Sequence, residues 1–169
     1  EAFKNCKTDK KLVIAGGSES NKDYYNQLLA LANGDERIVF TGYVYGQEVQ
    51  ELYSNSYIFA LPSNLEGMAN ALLEAMSYGN CCLISDIPEN TEVVGKYAEW
   101  FEKGNVKDLY SKLQYLLNNE NIVKGYKAKA ASYILSRYDW DKVVDQMLEV
   151  YSGNVVEYED ILKRYAENM

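Results

Sequence analysis

The chain of 169 residues has no histidine, three cysteines and only two prolines. Without imidazole there is no histidine general base and no histidine metal ligand. Cys6, Cys81 and Cys82 are too few and too irregularly spaced for a disulfide framework or a zinc site. The adjacent pair falls in an apolar strand pattern and reads as two small hydrophobes in a reducing compartment, which fits a cytoplasmic protein. No apolar run approaches the roughly 18 to 20 residues of a membrane span, and no signal-peptide pattern opens the chain. Positive charge is also scarce. Seventeen Lys and Arg against 25 Asp and Glu leave a net charge of −8, which argues against a broad basic face for nucleic acid or an anionic membrane. Anionic groups are then left to local binding by backbone amides and single cations.

What the sequence does contain is an ordinary 47% of hydrophobic residues, enough for one domain with a full core. Strand and helix patterns alternate. The first residues read as the end of a helix, Lys11 to Ala15 as a short buried strand closed by Gly16 and Gly17, and Ser18 to Leu31 as a helix with Tyr24, Leu28 and Leu31 on its apolar face. Arg37 to Phe40 is the next strand, a short helix follows Gly46, and Tyr57 to Leu61 is the third strand. A helix is expected from about Ala69, a buried strand over Cys81 to Ser85, a brief helix over Glu89 to Val94 and an edge strand over Ala98 to Phe101. Helices then follow over Val106 to Leu117, around Tyr126 to Ile134, and after a cap at Asp139. This alternation predicts an α/β fold, a Rossmann-like parallel sheet flanked by helices. Residues 1–152 are expected to form that domain and residues 153–169 a helical tail.

The stretch LPSNLEGMANALLEAMSYG, Leu61 to Gly79, carries the chemistry. A strand runs into a polar loop and then a helix, so unpaired helix-start amides stand at the carboxyl edge of a parallel sheet, where anionic ligands bind. Glu66 and Glu74 flank that amide row at a separation of eight positions. Over that span one carboxylate can accept from the hydroxyls of a sugar and the other from those of a ribose, with phosphates on the amides between. Read singly, each glutamate is also an ordinary solvated helix charge.

Taken together these residues resemble the nucleotide-sugar-binding, carboxyl-terminal domain of GT-B fold, family 4 type retaining glycosyltransferases. The resemblance starts with KLVIAGG (Lys11 to Gly17), continues through IVFTGYV (Ile38 to Val44), peaks in the Leu61 to Gly79 stretch, passes through SDIPENTEVVG (Ser85 to Gly95) and ends in YDWDKVVDQMLEVY (Tyr138 to Tyr151). It implies that Glu66 contacts the donor sugar near the reacting carbon and that Glu74 holds the ribose. The amides of Gly67, Met68, Ala69 and Asn70 would bind the phosphates or the transferred sugar, and Gly42, Tyr43 and Val44 would line the base pocket through their main chain. It implies a hexosyltransferase acting on a glycan or glycoconjugate, as in polysaccharide biosynthesis, with a nucleotide-diphosphate sugar as substrate and no metal or other cofactor. Where many members have Gly-Phe-Gly, this chain has Gly67, Met68 and Ala69.

The family's first strand of this domain, with its phosphate-pairing cations, would lie just before Glu1, and the amino-terminal acceptor domain before that. The chain is therefore expected to be an amino-terminally truncated domain, inactive alone, with any peripheral membrane association residing in the missing part. Two other readings remain. One is a stand-alone nucleotide-sugar-binding or interaction module. The other is a GT-B-type sugar-nucleotide epimerase, which uses acid and base residues, histidine included, that are lacking here.

Overall fold

The computed structural model describes residues 1–19 and 21–152. After a single 3-10 turn at Phe3–Asn5, the elements are β1 (Leu12–Ala15), α1 (Lys22–Ala32), β2 (Ile38–Gly42), α2 (Gln47–Asn55), β3 (Phe59–Leu61), α3 (Asn70–Ser77), β4 (Cys82–Ser85), α4 (Pro88–Val94), β5 (Glu99–Phe101), α5 (Val106–Asn118), α6 (Glu120–Arg137) and α7 (Trp140–Tyr151). The order is the one the alternating pattern predicts, and every strand pairing is parallel. The chain divides into two compact units, Glu1–Ile134 and Leu135–Met169. In the second unit Asp139 caps α7 by accepting from the Asp141 N–H, as expected. The expected tail helix, residues 153–169, lies outside the described residues. Among the described residues no helix is long and apolar enough to cross a membrane.

The core of the first unit is built around β4, whose four residues are all buried. Strand side chains alternate between faces. On one face Cys81 and Leu83 join Phe101, Leu116 and Val123 in a single apolar cluster, with Tyr57, Ile58, Leu109, Leu113 and Tyr126 packed around it. Alternation gives Cys82 and Ile84 to the other face, where α3 brings fully buried Leu72, Ala75 and Met76. The adjacent cysteines are free thiols pushed well above their ordinary pKa by burial, Cys81 to about 12. They are packing residues, as the apolar pattern predicts.

The other strands are less enclosed. β1, expected to be buried, has Val13 at 41% exposure, and α1 and α2 bury no residue fully. Tyr24 and Leu31, placed by periodicity on the apolar face of α1, are both exposed. The reason is topological. Instead of one sheet, the described strands form two, ordered β1-β2 and β3-β4-β5. Among the described strands β1 pairs only with β2 and β3 only with β4, so each has one edge without a described strand partner. The Lys10 ammonium lies 4.2 Å from the centroid of the Tyr57 ring, which brings the entrances of β1 and β3 side by side.

Register shows which groups face those edges. Leu12 and Gly16 donate their N–H groups toward β2, to the carbonyls of Arg37 and Gly42, and Phe59 donates to the Cys81 carbonyl beside β4. Parallel pairing alternates along a strand, so the N–H groups of Val13, Ala15 and Ala60 point the other way. The amino-terminal turn is held independently of the sheet. Arg37 pairs with Asp35 at 2.8 Å and donates to the carbonyls of Lys4, Cys6 and Thr8, and this ion pair holds the Asp35 carboxyl down at about 2.

In native-state hydrogen exchange the amides of Val13, Ala15 and Ala60 are expected to exchange at least about a hundredfold faster than those of β4, because unpaired edge groups need no opening event. Protection of these three amides equal to that of Leu83 and Ile84 would show the two edges to be paired.

Candidate functional site

The segment from Pro62 to Ala69 is the loop at the carboxyl end of β3, and α3 begins at Asn70. Ala69 occupies the N-cap position, where it has no side-chain oxygen to offer, and no side chain caps this helix. Its carbonyl accepts from the N–H groups of Leu72 and Leu73 at 2.9 and 3.2 Å, which starts the helix. The N–H groups of Gly67, Met68, Ala69 and Asn70 meet no backbone or side-chain acceptor among the described residues. A capping serine or aspartate would fill this place from within; an alanine leaves it open to a ligand. Gly67 has an ordinary negative φ and open space where a Cβ would stand, so neither backbone strain nor packing calls for glycine there.

Two carboxylates flank these amides. Glu66 is half-buried in the loop, and its Oε1 accepts from the Ser63 hydroxyl at 2.5 Å. Glu74 is exposed on the first turns of α3. Only Asn70 to Glu74 of the interval between them is helical, about 6 Å of rise, with the loop supplying the rest of the separation. Beside Glu74 stands Tyr53 of α2, stacked on Tyr78 at 5.5 Å and donating to the Ala71 carbonyl at 3.4 Å. Burial first, and then the charge and hydrogen bonding of Glu74, push its phenol up to about 12. Tyr53 therefore stays a neutral donor at any physiological pH.

The structure places the remaining predicted residues at the carboxyl end of β2. Gly42 ends that strand with φ +69°, in the left-handed region that favours glycine, and its carbonyl accepts from the Gly16 N–H at 2.8 Å. The exposed rings of Tyr43 and Tyr45 stack at 6.3 Å with 16° between their planes, and Val44 is half-buried between them in sequence. A Cβ on Gly17 would meet the Tyr43 ring at 2.9 Å, so glycine at the exit of β1 is what lets that ring lie there. The predicted residues thus fall into two groups, one from Glu66 to Glu74 and one from Gly42 to Val44, at the exits of strands in different sheets. No hydrogen bond or ring contact joins the groups among the described residues.

Sequence reading missed the cross-ties beneath the loop. The Ser85 hydroxyl donates to the Ser63 carbonyl at 2.5 Å. Asp86 accepts from the Lys103 N–H at 2.7 Å, and the Lys103 ammonium reaches the Asn64 carbonyl at 3.4 Å. The loops after β3, β4 and β5 are therefore tied to one another. The one sequence signal was a hydroxyl ending the otherwise apolar strand Cys82–Ser85. Among the described residues no group of three or more His, Cys, Asp or Glu could hold a metal ion.

The family model described as "Glycosyl transferases group 1" matches residues 1–133. An uncharacterized glycosyltransferase of Methanocaldococcus jannaschii is 24% identical over 83% of this chain and 36% of its own length. A sulfoquinovosyl transferase of Arabidopsis thaliana is 36% identical over 60% of this chain and 21% of its own. The chain thus spans well under half the length of these relatives. Among solved structures, Anabaena HepE in complex with UDP and glucose superposes with a TM-score of 0.82 at 18% identity, over 90% of this chain and 43% of that one.

The Tyr53 phenol offers a probe of the site. Its folded pKa, about 12, lies above the ordinary value near 10, so the stability it lends is complete below about pH 10 and is lost as pH rises toward 12. The denaturation midpoint is expected to fall across that window, and to fall less in Tyr53→Phe. Tyr126, raised to about 12 by burial and Glu99, accounts for part of what remains. In Glu74→Gln, ultraviolet titration should show one tyrosine ionising at lower pH; an unchanged titration would separate Tyr53 from Glu74.

Proposed function

The chain belongs to the glycosyl transferases group 1 family, and from that premise we propose that it is the nucleotide-sugar-binding domain of a retaining hexosyltransferase that acts on a glycan or glycoconjugate. The observation that carries the reading is the uncapped row of amides from Gly67 to Asn70, set between two carboxylates at the carboxyl end of β3. Backbone N–H groups at a helix start offer hydrogen bonds and a favourable dipole to a diphosphate. Open space in front of Gly67 leaves room for the anion to approach. Glu74, a turn further along the helix, accepts from the ribose hydroxyls, and Glu66 accepts from the sugar. The backbone of Gly42, Tyr43 and Val44 receives the base. The UDP and glucose held by Anabaena HepE, a protein of the same fold, agree with a ligand of this class.

In this reading the protein's contribution to transfer is positioning and charge stabilisation. The diphosphate leaves from one face of the sugar and helps to deprotonate an acceptor hydroxyl arriving on that same face, so the anomeric configuration is kept. Glu66, beside the reacting carbon, faces the positive charge that builds there, and no metal or cofactor takes part. The acceptor site belongs to polypeptide outside this chain, so the chain alone binds donor weakly and transfers nothing. The reaction takes place in the cytoplasm.

NMR titration with UDP, GDP and ADP and with their glucose conjugates tests this. One base is expected to bind with chemical-shift changes centred on Gly67 to Asn70. Glu74→Ala should weaken nucleotide and conjugate alike by about 10- to 100-fold, the worth of a hydrogen bond to a charged group. Should no nucleoside diphosphate bind, either to this chain or to a longer polypeptide that includes it, the donor-site reading fails.

A further inference from the structure

The loop carboxylate is not free to turn. Ser63 donates its hydroxyl to one oxygen of Glu66 at 2.5 Å, which leaves the other without a protein partner among the described residues. Ser63 is in turn held by its carbonyl, which accepts from the Ser85 hydroxyl at 2.5 Å. Ser85 is 1% exposed. Its single proton has two acceptors in range, the Leu61 carbonyl at 3.5 Å and the Ser63 carbonyl at 2.5 Å, and goes to the nearer. Behind it the Asn90 amide, fully buried, donates to the Ser85 oxygen at 3.5 Å, while its own Oδ1 has no partner. A polar line thus runs through a largely apolar core, from Asn90 to Ser85 to Ser63, and ends on the carboxylate.

An unsatisfied buried amide oxygen is a cost to stability that an apolar pair at these positions would avoid. Local folding does not call for the line either. β4 is already enclosed on both faces, and α4 starts with Pro88 at its first position, with no side-chain cap. What the line does accomplish is to fix the height and rotation of Ser63, and through it the direction of the remaining lone pairs of Glu66.

We infer that Ser63 is the positioning residue for Glu66, that Ser85 with Asn90 sets Ser63, and that this line gives the chain its preference for a sugar-bearing over a bare nucleoside diphosphate. The inference rests on the donor-site reading and adds which half of the ligand the line serves. A bare diphosphate uses the amides and Glu74 and is indifferent to Ser63. A sugar hydroxyl meets Glu66 only where Ser63 holds it. In Ser63→Ala the carboxylate rotates away and solvent takes its free oxygens, so the sugar loses a partner that the nucleotide never had.

The test is an NMR titration of this chain with UDP, GDP and ADP and their glucose and mannose conjugates, a method that reads millimolar affinities. With the best-binding base, Ser63→Ala is expected to weaken the conjugate by about tenfold, as for loss of a charge-assisted hydrogen bond, and the bare nucleotide by less than about twofold. Ser63→Thr, which keeps the hydroxyl, should restore the preference, and Ser85→Ala should lose it as Ser63→Ala does. Ser63 lies in a loop, so Ser63→Ala carries the test even if Ser85→Ala does not fold. Equal weakening of conjugate and nucleotide in Ser63→Ala, or no change in either, overturns the positioning role while the donor site stands. Failure of every nucleotide to bind, both to the unaltered chain and to a longer polypeptide that includes it, overturns both.

Discussion

The first unit depends on the burial of one short strand. β4 has no exposed residue, and each of its faces is covered by different partners: Phe101, Leu116 and Val123 on one side, α3 with Leu72 and Met76 on the other. Fully burying a side chain of this size is worth about 1.5–3 kcal/mol, so the strand and its immediate neighbours hold much of the unit's stabilising burial. Because α3 packs on β4, its start is fixed relative to the sheet, and the loop from Pro62 to Ala69 has both ends anchored. The same packing confines Ser85, the last residue of β4, beneath that loop, where its hydroxyl meets the Ser63 carbonyl.

Enclosure falls away from that centre. Around β1 and β2 the strands are half-exposed and their helices bury nothing fully, and order there comes from local polar ties. The Asn21 side chain caps α1, Arg37 gathers the amino-terminal turn, and Asn80 joins the end of α2 to the turn before β4 through the Tyr53 carbonyl. This gradient bears on the site. The amide row and the two glutamates stand on the well-packed side, whereas Gly42, Tyr43 and Val44 stand on the side where β1 has one partnered edge. A ligand that reached both groups would bridge the two sheets and gain from ordering the looser one, as ligands that bind the folded form do.

The line from Asn90 through Ser85 and Ser63 to Glu66 joins the core to the surface. It has the character of a functional feature rather than a stabilising one, since it leaves a buried amide oxygen unpaired to hold a single carboxylate. Tyr53 performs a comparable service beside Glu74, as a phenol that burial keeps protonated. Each glutamate therefore has a neutral hydroxyl neighbour, and among the described residues neither has a lysine or arginine paired with it. Their lone pairs stay available to a neutral polyol, where a bound cation would have occupied them.

How much of this was legible in the sequence follows from the range of the interactions concerned. Alternation of short β-rich runs with amphipathic ones depends on neighbours within one or two turns, so element type and order could be read directly, down to the Asp139 cap and the helix start at Ala69 and Asn70. The spacing of Glu66 and Glu74 across a helix start is likewise local, and with its surrounding residues it resembled the family that the comparisons then showed. Periodicity alone misjudged Tyr24, Leu31 and Val13, because a residue on an apolar face is buried only where another element arrives to cover it. That covering is a matter of sheet order, and the division into β1-β2 and β3-β4-β5 was decided in three dimensions. So were Ser85 beneath Ser63, at a separation of 22 positions, and Lys103 beside Asn64, at 39. The sequence alone determined the elements and the chemical groups of the site; the packing of α3 on β4 decided which way those groups face, because hydrogen bonds between distant segments form only after the core has placed them.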